Sequence, residues 1–305
     1  MAEPLLESSV STAQPTGEAN TETRLWTSLA RLIRLPNQSG TLLLMLPTLW
    51  ALVFASHGRP SFMLLLIFAA GSFIMRSAGV VMNDLADRSF DRRVERTRTR
   101  PLVSGAVTAR QALLTILVLL IMAGGLLLLL DPLTIALSPV AVLLAAIYPF
   151  SKRVLALPQA VLGIAFGWGV IMAWTAAAHS VPLLAWLLYA ATVCWAVAYD
   201  TIYALQDRED DLRIGVRSSA ILFGSYAWLA VGCCLMLMLL LLGVTGWLNG
   251  LNAGFYGMLA AIAGFLMQQV LVVRKAISPA HAFRLFKQHV WVGWSILAGI
   301  WLGFL

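Results

Sequence analysis

Residues 112–130 read ALLTILVLLIMAGGLLLLL, a block without a charged side chain. A run of about 20 apolar residues matches a hydrocarbon core roughly 30 Å thick. Lipid offers no water to an unpaired peptide group, so only helices and closed barrels can span it. This block is too long and too evenly apolar for a barrel strand, so it predicts a membrane helix. Working outward, eight more blocks follow the same pattern, at about 40–56, 62–83, 133–149, 157–177, 182–205, 220–242, 253–273 and 288–304. The expected fold is an all-α integral membrane protein, a bundle of nine transmembrane helices. Composition agrees: 60% of the 305 residues are hydrophobic and 11% are charged, against about 25% charged in ordinary soluble domains.

The net charge of +7 is a topology signal and predicts no nucleic-acid partner. Of the 21 Lys and Arg, Arg59 alone falls in the loops near His57, Asp131, His179 and Asn249, and Arg76 lies inside a block. The rest lie on the N-terminal arm (Arg24, Arg31, Arg34), in the loops 84–111, 206–219 and 274–287, and at Lys152-Arg153. The positive-inside rule makes that second set cytoplasmic. Cys194, Cys233 and Cys234 all sit in apolar blocks and form no plausible zinc site or disulfide framework. Residues 1–23 are expected to be a disordered tail, and 24–305 a single membrane domain. The tail has four Glu and no Lys or Arg up to Glu22, unlike a transit or secretory leader, which favours a bacterial inner membrane.

The chemistry lies where two blocks end. One runs into Asn83-Asp84-Leu85-Ala86-Asp87-Arg88-Ser89-Phe90-Asp91. Asn83, Asp87 and Asp91 are four apart and share one face if the helix continues. The other runs from Asp200 through Tyr203 to Asp207-Arg208-Glu209-Asp210-Asp211, again pairing Asp207 and Asp211 at four. Like charges at this spacing repel on an isolated helix, so the pattern calls for a bound cation. Carboxylates and an amide oxygen suit Mg2+, which keeps waters and readily shares phosphate oxygens. Arg88, Arg92, Arg93, Arg96, Arg98, Arg100, Lys152, Arg208, Arg213 and Arg217 lie among these acids, and such a mixture fits a Mg2+-diphosphate better than a bare ion. A cation-coupled transporter is the reading from another class. It would place its acids near the midplane, often at broken helices, whereas these stand at helix mouths.

Two long segments carry a resemblance. NDLADRSFD with RTRTRPLVSG after it, and YDTIYALQDREDDLRIGVRSSA, are similar to the two signatures of the UbiA family of membrane prenyltransferases. YPFSKR at 148–153 and LPQAVLG from 157 match it too, and the likeness runs from about residue 24 to the C-terminus. The resemblance implies nine helices around a central cavity open to the cytoplasmic side. It implies Mg2+ held by Asn83, Asp87, Asp91, Asp207 and Asp211, with Asp87, Asp91, Asp207, Asp211 and Arg88 as the catalytic set. It further implies transfer of a polyprenyl group from polyprenyl diphosphate to the ring carbon beside the hydroxyl of 4-hydroxybenzoate, a step towards ubiquinone. Other aromatic or quinone-precursor acceptors on the same scaffold stay open. Arg88, Arg93 and Lys152 are the expected phosphate contacts, Arg34 the partner of the acceptor carboxylate, and Tyr203 a substrate contact. Trp168, Trp174, Trp186 and Trp195 are candidate cavity aromatics, weighed against packing and interface roles.

Arg76 and Asp200 each lie seven residues before their motif, about 10 Å deeper along a helix. A charge at that depth needs a partner. An Arg76–Asp200 ion pair under the metal site is therefore expected, the alternative being that Arg76 reaches the substrate.

Overall fold

The computed structural model describes residues 17–305, with side chains from Arg24 onward. All its regular elements are helical: α1 (Gly17–Leu32), α2 (Ser39–Ala55), α3 (Phe62–Ala86), α4 (Arg88–Asp91), α5 (Pro101–Ser104), α6 (Ala109–Leu127), α7 (Pro132–Val154), α8 (Pro158–Ala178), α9 (Leu183–Ala204), α10 (Arg208–Ile214), α11 (Ser219–Phe223), α12 (Ala227–Leu248), α13 (Ala253–Val273) and α14 (Pro279–Phe304). Among the described residues, 7 helical stretches are long and apolar enough to cross a membrane, with α11 and α12 counted as one. The apolar α2 is shorter, at 17 residues. Helix α14 has 26 residues, but Arg284, Lys287 and His289 dilute its first half. The apolar block expected at 288–304 covers only the later part of this helix, because hydropathy registers the apolar segment and the helix extends beyond it.

Residues 1–16 lie outside the described residues, yet the backbone from Gly17 is already helical. Leu29 and Leu32 pack on a small core with Val81, Leu102 and Val107. That anchors the helix C-terminal end, and extending an existing helix costs far less than nucleating one.

Local chemistry sets the helix ends. Thr108 and Gln111 form a capping box on α6. Asp131 accepts from the N–H groups of Leu133 and Thr134 at the start of α7, and Pro132, Pro158 and Pro279 open their helices. In that first turn proline's missing N–H has no intrahelical partner to lose. Gly224, at φ 51°, breaks the α11–α12 span.

Contacts run α2–α3, α3–α7, α7–α8, α8–α9, α9–α12, α12–α13, α13–α14 and α14–α2, closing a ring, and α6 packs on α3 and touches α7. Helices α2, α9 and α14 meet in the buried core. There the Trp50 and Trp195 rings meet at 5.0 Å, tilted by 36°, and the Trp50 indole donates to the Gly293 carbonyl at 3.0 Å. Apolar side chains also cover the outer faces of α6 and α7. Helices apolar on every side belong in lipid, and the chain is a multi-pass membrane protein.

Candidate active site

Helix α3 does not continue through its acidic end as one rod. It stops at Ala86, Asp87 adopts φ −92° and ψ 0°, and the single turn α4 restarts at Arg88. The four-residue hydrogen bonds nevertheless persist across the break, Asp87 N to Asn83 O at 2.9 Å and Asp91 N to Asp87 O at 2.9 Å. The shared face therefore survives the kink. The second motif is built alike: α9 ends at Ala204, Asp207 sits at the N-cap of α10, and Asp211 N donates to Asp207 O at 2.8 Å.

Both ends face one cavity of about 320 Å³. Asn83, Asp87, Asp91, Asp207 and Asp211 all line it, with Asp84, Arg96, Arg100, Lys152 and Arg217. Deeper in stand Arg76, Tyr148, Tyr199 and Asp200. Beyond them, Arg76, Tyr148, Leu162 and Phe166 also line a second cavity of about 310 Å³ among α2, α3, α6, α7 and α8. Its other lining residues are almost all apolar, among them Ile67, Met75, Leu127 and Met172.

Most of the acids already hold basic partners. Lys152 pairs with Asp87. Arg96 grips Asp207 through two bonds of 2.9 and 2.6 Å. Arg100 bridges Asp91 at 2.7 Å and Asp84 at 3.0 Å, and Arg34 reaches both Asp84 oxygens at 2.9 Å. Asp87 is 1% exposed, and its second oxygen, Oδ1, has no hydrogen-bond partner. Burial pushes its carboxyl upward, opposed by Lys152. Burial, and then the neighbouring Asp207, push Asp211 up to about 6. Among the described residues no three His, Cys, Asp or Glu side chains already converge as a metal cage. The donor set still fits a hard cation: carboxylates and an amide oxygen, one buried carboxylate oxygen unsatisfied, and acids pushed towards protonation by burial and by one another.

The structure sorts the residues singled out above. Asp87, Asp91, Asp207, Asp211, Asn83, Lys152, Arg34, Arg76, Asp200 and Tyr203 all line the cavity, and Arg88 and Arg93 do not. Arg88 instead donates to the Leu102 carbonyl at 3.0 Å, which fixes α5, and Arg93 is exposed. Arg96 and Arg100 take the places expected for them. The Arg76–Asp200 ion pair is not formed. The Arg76 guanidinium lies over the Phe166 ring at 5.5 Å and against Gly40, where a Cβ would come within 2.8 Å of it. The expected tryptophans are not in the wall; Phe90, Tyr148, Phe166, Tyr199, Tyr203, Phe283 and Phe286 are. Asp84 was passed over in the sequence although it stands seven residues before Asp91, on the same helical side.

Asp84 is 1% exposed and joins α3, the turn after α1 and the 92–100 loop through Arg34 and Arg100. Asp84→Ala leaves two guanidiniums without their buried counter-charge, a loss on the scale of about 3 kcal/mol. The expected result is a clearly lower melting temperature in detergent, and an unchanged one would refute the structural role of this junction.

The chain matches the UbiA prenyltransferase family over residues 44–302. It belongs to that family. Among curated UbiA relatives, the 4-hydroxybenzoate octaprenyltransferase of Tolumonas auensis is 50% identical over 277 residues, which is 91% of this chain and 96% of the relative. The enzyme of the same description from Yersinia pseudotuberculosis is 46% identical over 280 residues, 92% and 96% of the two chains. A UbiA homologue from Aeropyrum pernix has the same fold at TM-score 0.74 and 27% identity, covering 85% of this chain and 96% of that one. A UbiA homologue from Archaeoglobus fulgidus, bound to DMAPP and Mg2+, superposes at TM-score 0.67 with 17% identity, covering 89% and 99%. At that identity the likeness speaks to the UbiA fold alone.

Proposed function

We propose that this chain transfers a polyprenyl group from polyprenyl diphosphate to the ring carbon beside the hydroxyl of 4-hydroxybenzoate, with Mg2+, in ubiquinone biosynthesis. One observation carries the reading: a cavity lined by paired acidic helix ends and basic side chains shares an inner wall, Arg76, Tyr148, Leu162 and Phe166, with an apolar groove. A diphosphate with a long hydrocarbon tail has that polarity profile. The curated relatives, named for this reaction and matched over most of their length, support the acceptor.

Asn83, Asp87, Asp91, Asp207 and Asp211 would hold the metal, whose charge stabilises the departing diphosphate. Arg96, Arg100 and Lys152 are held by carboxylates and stand ready to exchange them for phosphate oxygens, which bind the same donors at least as well. The rings of Tyr148, Phe166, Tyr199 and Tyr203 offer π-faces to the allylic cation and keep bulk water from it. Arg34 is the cation nearest the mouth for the acceptor carboxylate, but Asp84 holds it. Arg76, without a carboxylate partner, fits that role better. We read α2 and α14 as spans beside the seven, giving nine helices, with the charged mouth on the cytoplasmic side of a bacterial inner membrane. The basic loops around that mouth support this orientation.

The test is purified protein in lipid nanodiscs with Mg2+, ring-labelled 4-hydroxybenzoate and a polyprenyl diphosphate. The expected product is a lipid-extractable acid alkylated beside the hydroxyl. Labelling of another acceptor but not this one overturns the assignment.

A further inference from the structure

Six carboxylates line the polar cavity: Asp84, Asp87, Asp91, Asp200, Asp207 and Asp211. Four of them are paired with Arg or Lys. Asp211 stands at the mouth beside Asp207. Of the two acids without an ion pair, Asp200 alone lies deep. It makes none of the hydrogen bonds or ion pairs of the described residues, and its side chain stays partly open to the cavity. It lies on α9 four residues before that helix ends at Ala204, so it sits about 6 Å inside the helix end, whereas Asp207 lies beyond it. A carboxylate left bare at that depth is costly unless something uses it.

The linings also fix which side of the inner cavity it serves. Arg76, Tyr148, Leu162 and Phe166 belong to both the polar cavity and the apolar groove, whereas Asp200 and Tyr199 belong to the polar cavity alone. A donor with its diphosphate among the outer acids and its tail in the groove leaves the Asp200 side of the inner cavity for the aromatic ring. This placement rests on the function proposed above.

Alkylation of an aromatic ring leaves one proton too many. The new C–C bond forms at a carbon that still carries hydrogen, and the ring is then a cation that has lost its aromaticity. We infer that Asp200 is the general base that removes this proton. The ring C–H bond breaks, its electron pair restores the aromatic sextet, and the proton passes to an Asp200 carboxylate oxygen. From there it leaves with the diphosphate or with water as the cavity empties. No oxidant or reductant is needed. The outer acids are poorly suited: Asp84, Asp87, Asp91 and Asp207 are bound to Arg or Lys, and all five, Asp211 included, stand at the level of the diphosphate. Arg76, across the same space, has no lone pair to offer.

The experiment compares wild type, Asp200→Asn and Asp200→Glu, using 4-hydroxybenzoate and its analogue deuterated at both carbons flanking the hydroxyl. Asn keeps the shape and removes the base. The expected kcat loss for Asp200→Asn is about 100-fold or more, the usual worth of a positioned base. The donor KM should be little changed, and a primary deuterium isotope effect larger than that of wild type should appear, because proton removal becomes slow. Asp200→Glu should recover part of the rate and lower the isotope effect. Protection of the melting temperature by Mg2+ and pyrophosphate should be the same in all three proteins, which shows an intact outer site. A slow Asp200→Asn without an increased isotope effect overturns the inference, since a merely structural role slows the enzyme without exposing the C–H step. So does retention of more than about a tenth of the wild-type rate. Wild type that makes no product from 4-hydroxybenzoate overturns the acceptor reading, an outcome distinct from a normal wild type with an insensitive Asp200→Asn.

Discussion

Asp87→Asn lowers prenyl transfer by about 1,000-fold, roughly 4 kcal/mol of transition-state stabilisation. Asp87 is the acid most fully given over to the site: 1% exposed, one oxygen on Lys152 and the other without a partner. Asparagine keeps the volume and one oxygen but loses the charge that a divalent ion needs. Lys152 then faces a neutral amide, and being partly exposed it can turn to solvent. The melting temperature without ligand should therefore change little, while its rise on adding Mg2+ and pyrophosphate should vanish. Turnover in single-round assays reads the rate, and the melts separate a lost site from a lost fold. Activity within about tenfold of wild type would show that the α3 end is not the metal-diphosphate site.

The second large effect is on stability. Gly293→Val should cost about 1–3 kcal/mol, the range for overpacking a close-packed core. Gly293 of α14 meets α2 and α9 so closely that a Cβ would lie 2.6 Å from Leu46 Cδ1 and 2.9 Å from Trp195 Cη2. Neither neighbour can withdraw easily. Leu46 and Trp195 are fully buried, and Trp195 packs against the Trp50 ring. The carbonyl of Gly293 also accepts the Trp50 indole N–H, so a shift of α14 would strain that bond. Gly124→Ala is the matched control. Nothing lies within 4 Å of a Cβ there, and removing a helical glycine is neutral or stabilising by up to about 1 kcal/mol. Equal melting temperatures for the two variants would mean that α14 does not approach α2 this closely.

The membrane spans were legible because lipid imposes one demand on every face of a helix, and a run such as 112–130 answers it without tertiary information. The paired acids were legible for a similar reason: four-residue spacing survives a kink, as the bonds across Asp87 show. Direction around the bundle was not legible. Nothing in the run from Arg88 to Arg100 says that Arg96 and Arg100 turn inward while Arg88 turns to a backbone carbonyl, since these side chains share one chemistry and differ only in azimuth. The Arg76–Asp200 pair failed on the same ground. Spacing gave each residue its depth, and the Phe166 ring, on a third helix, decided where the guanidinium lies. Asp84 was hidden by its neighbours, an acid among acids until its two arginines are seen.

The wall shared by the two cavities, at Arg76, Tyr148, Leu162 and Phe166, has a kinetic consequence for an amphiphilic donor. Its two ends are drawn from different phases, the head from water and the tail from the bilayer. The quantity that saturates the enzyme is then the mole fraction of donor in the surrounding lipid, not its bulk molarity. Adding inert lipid at fixed total donor should slow the reaction as dilution would in solution, while the soluble acceptor saturates as usual.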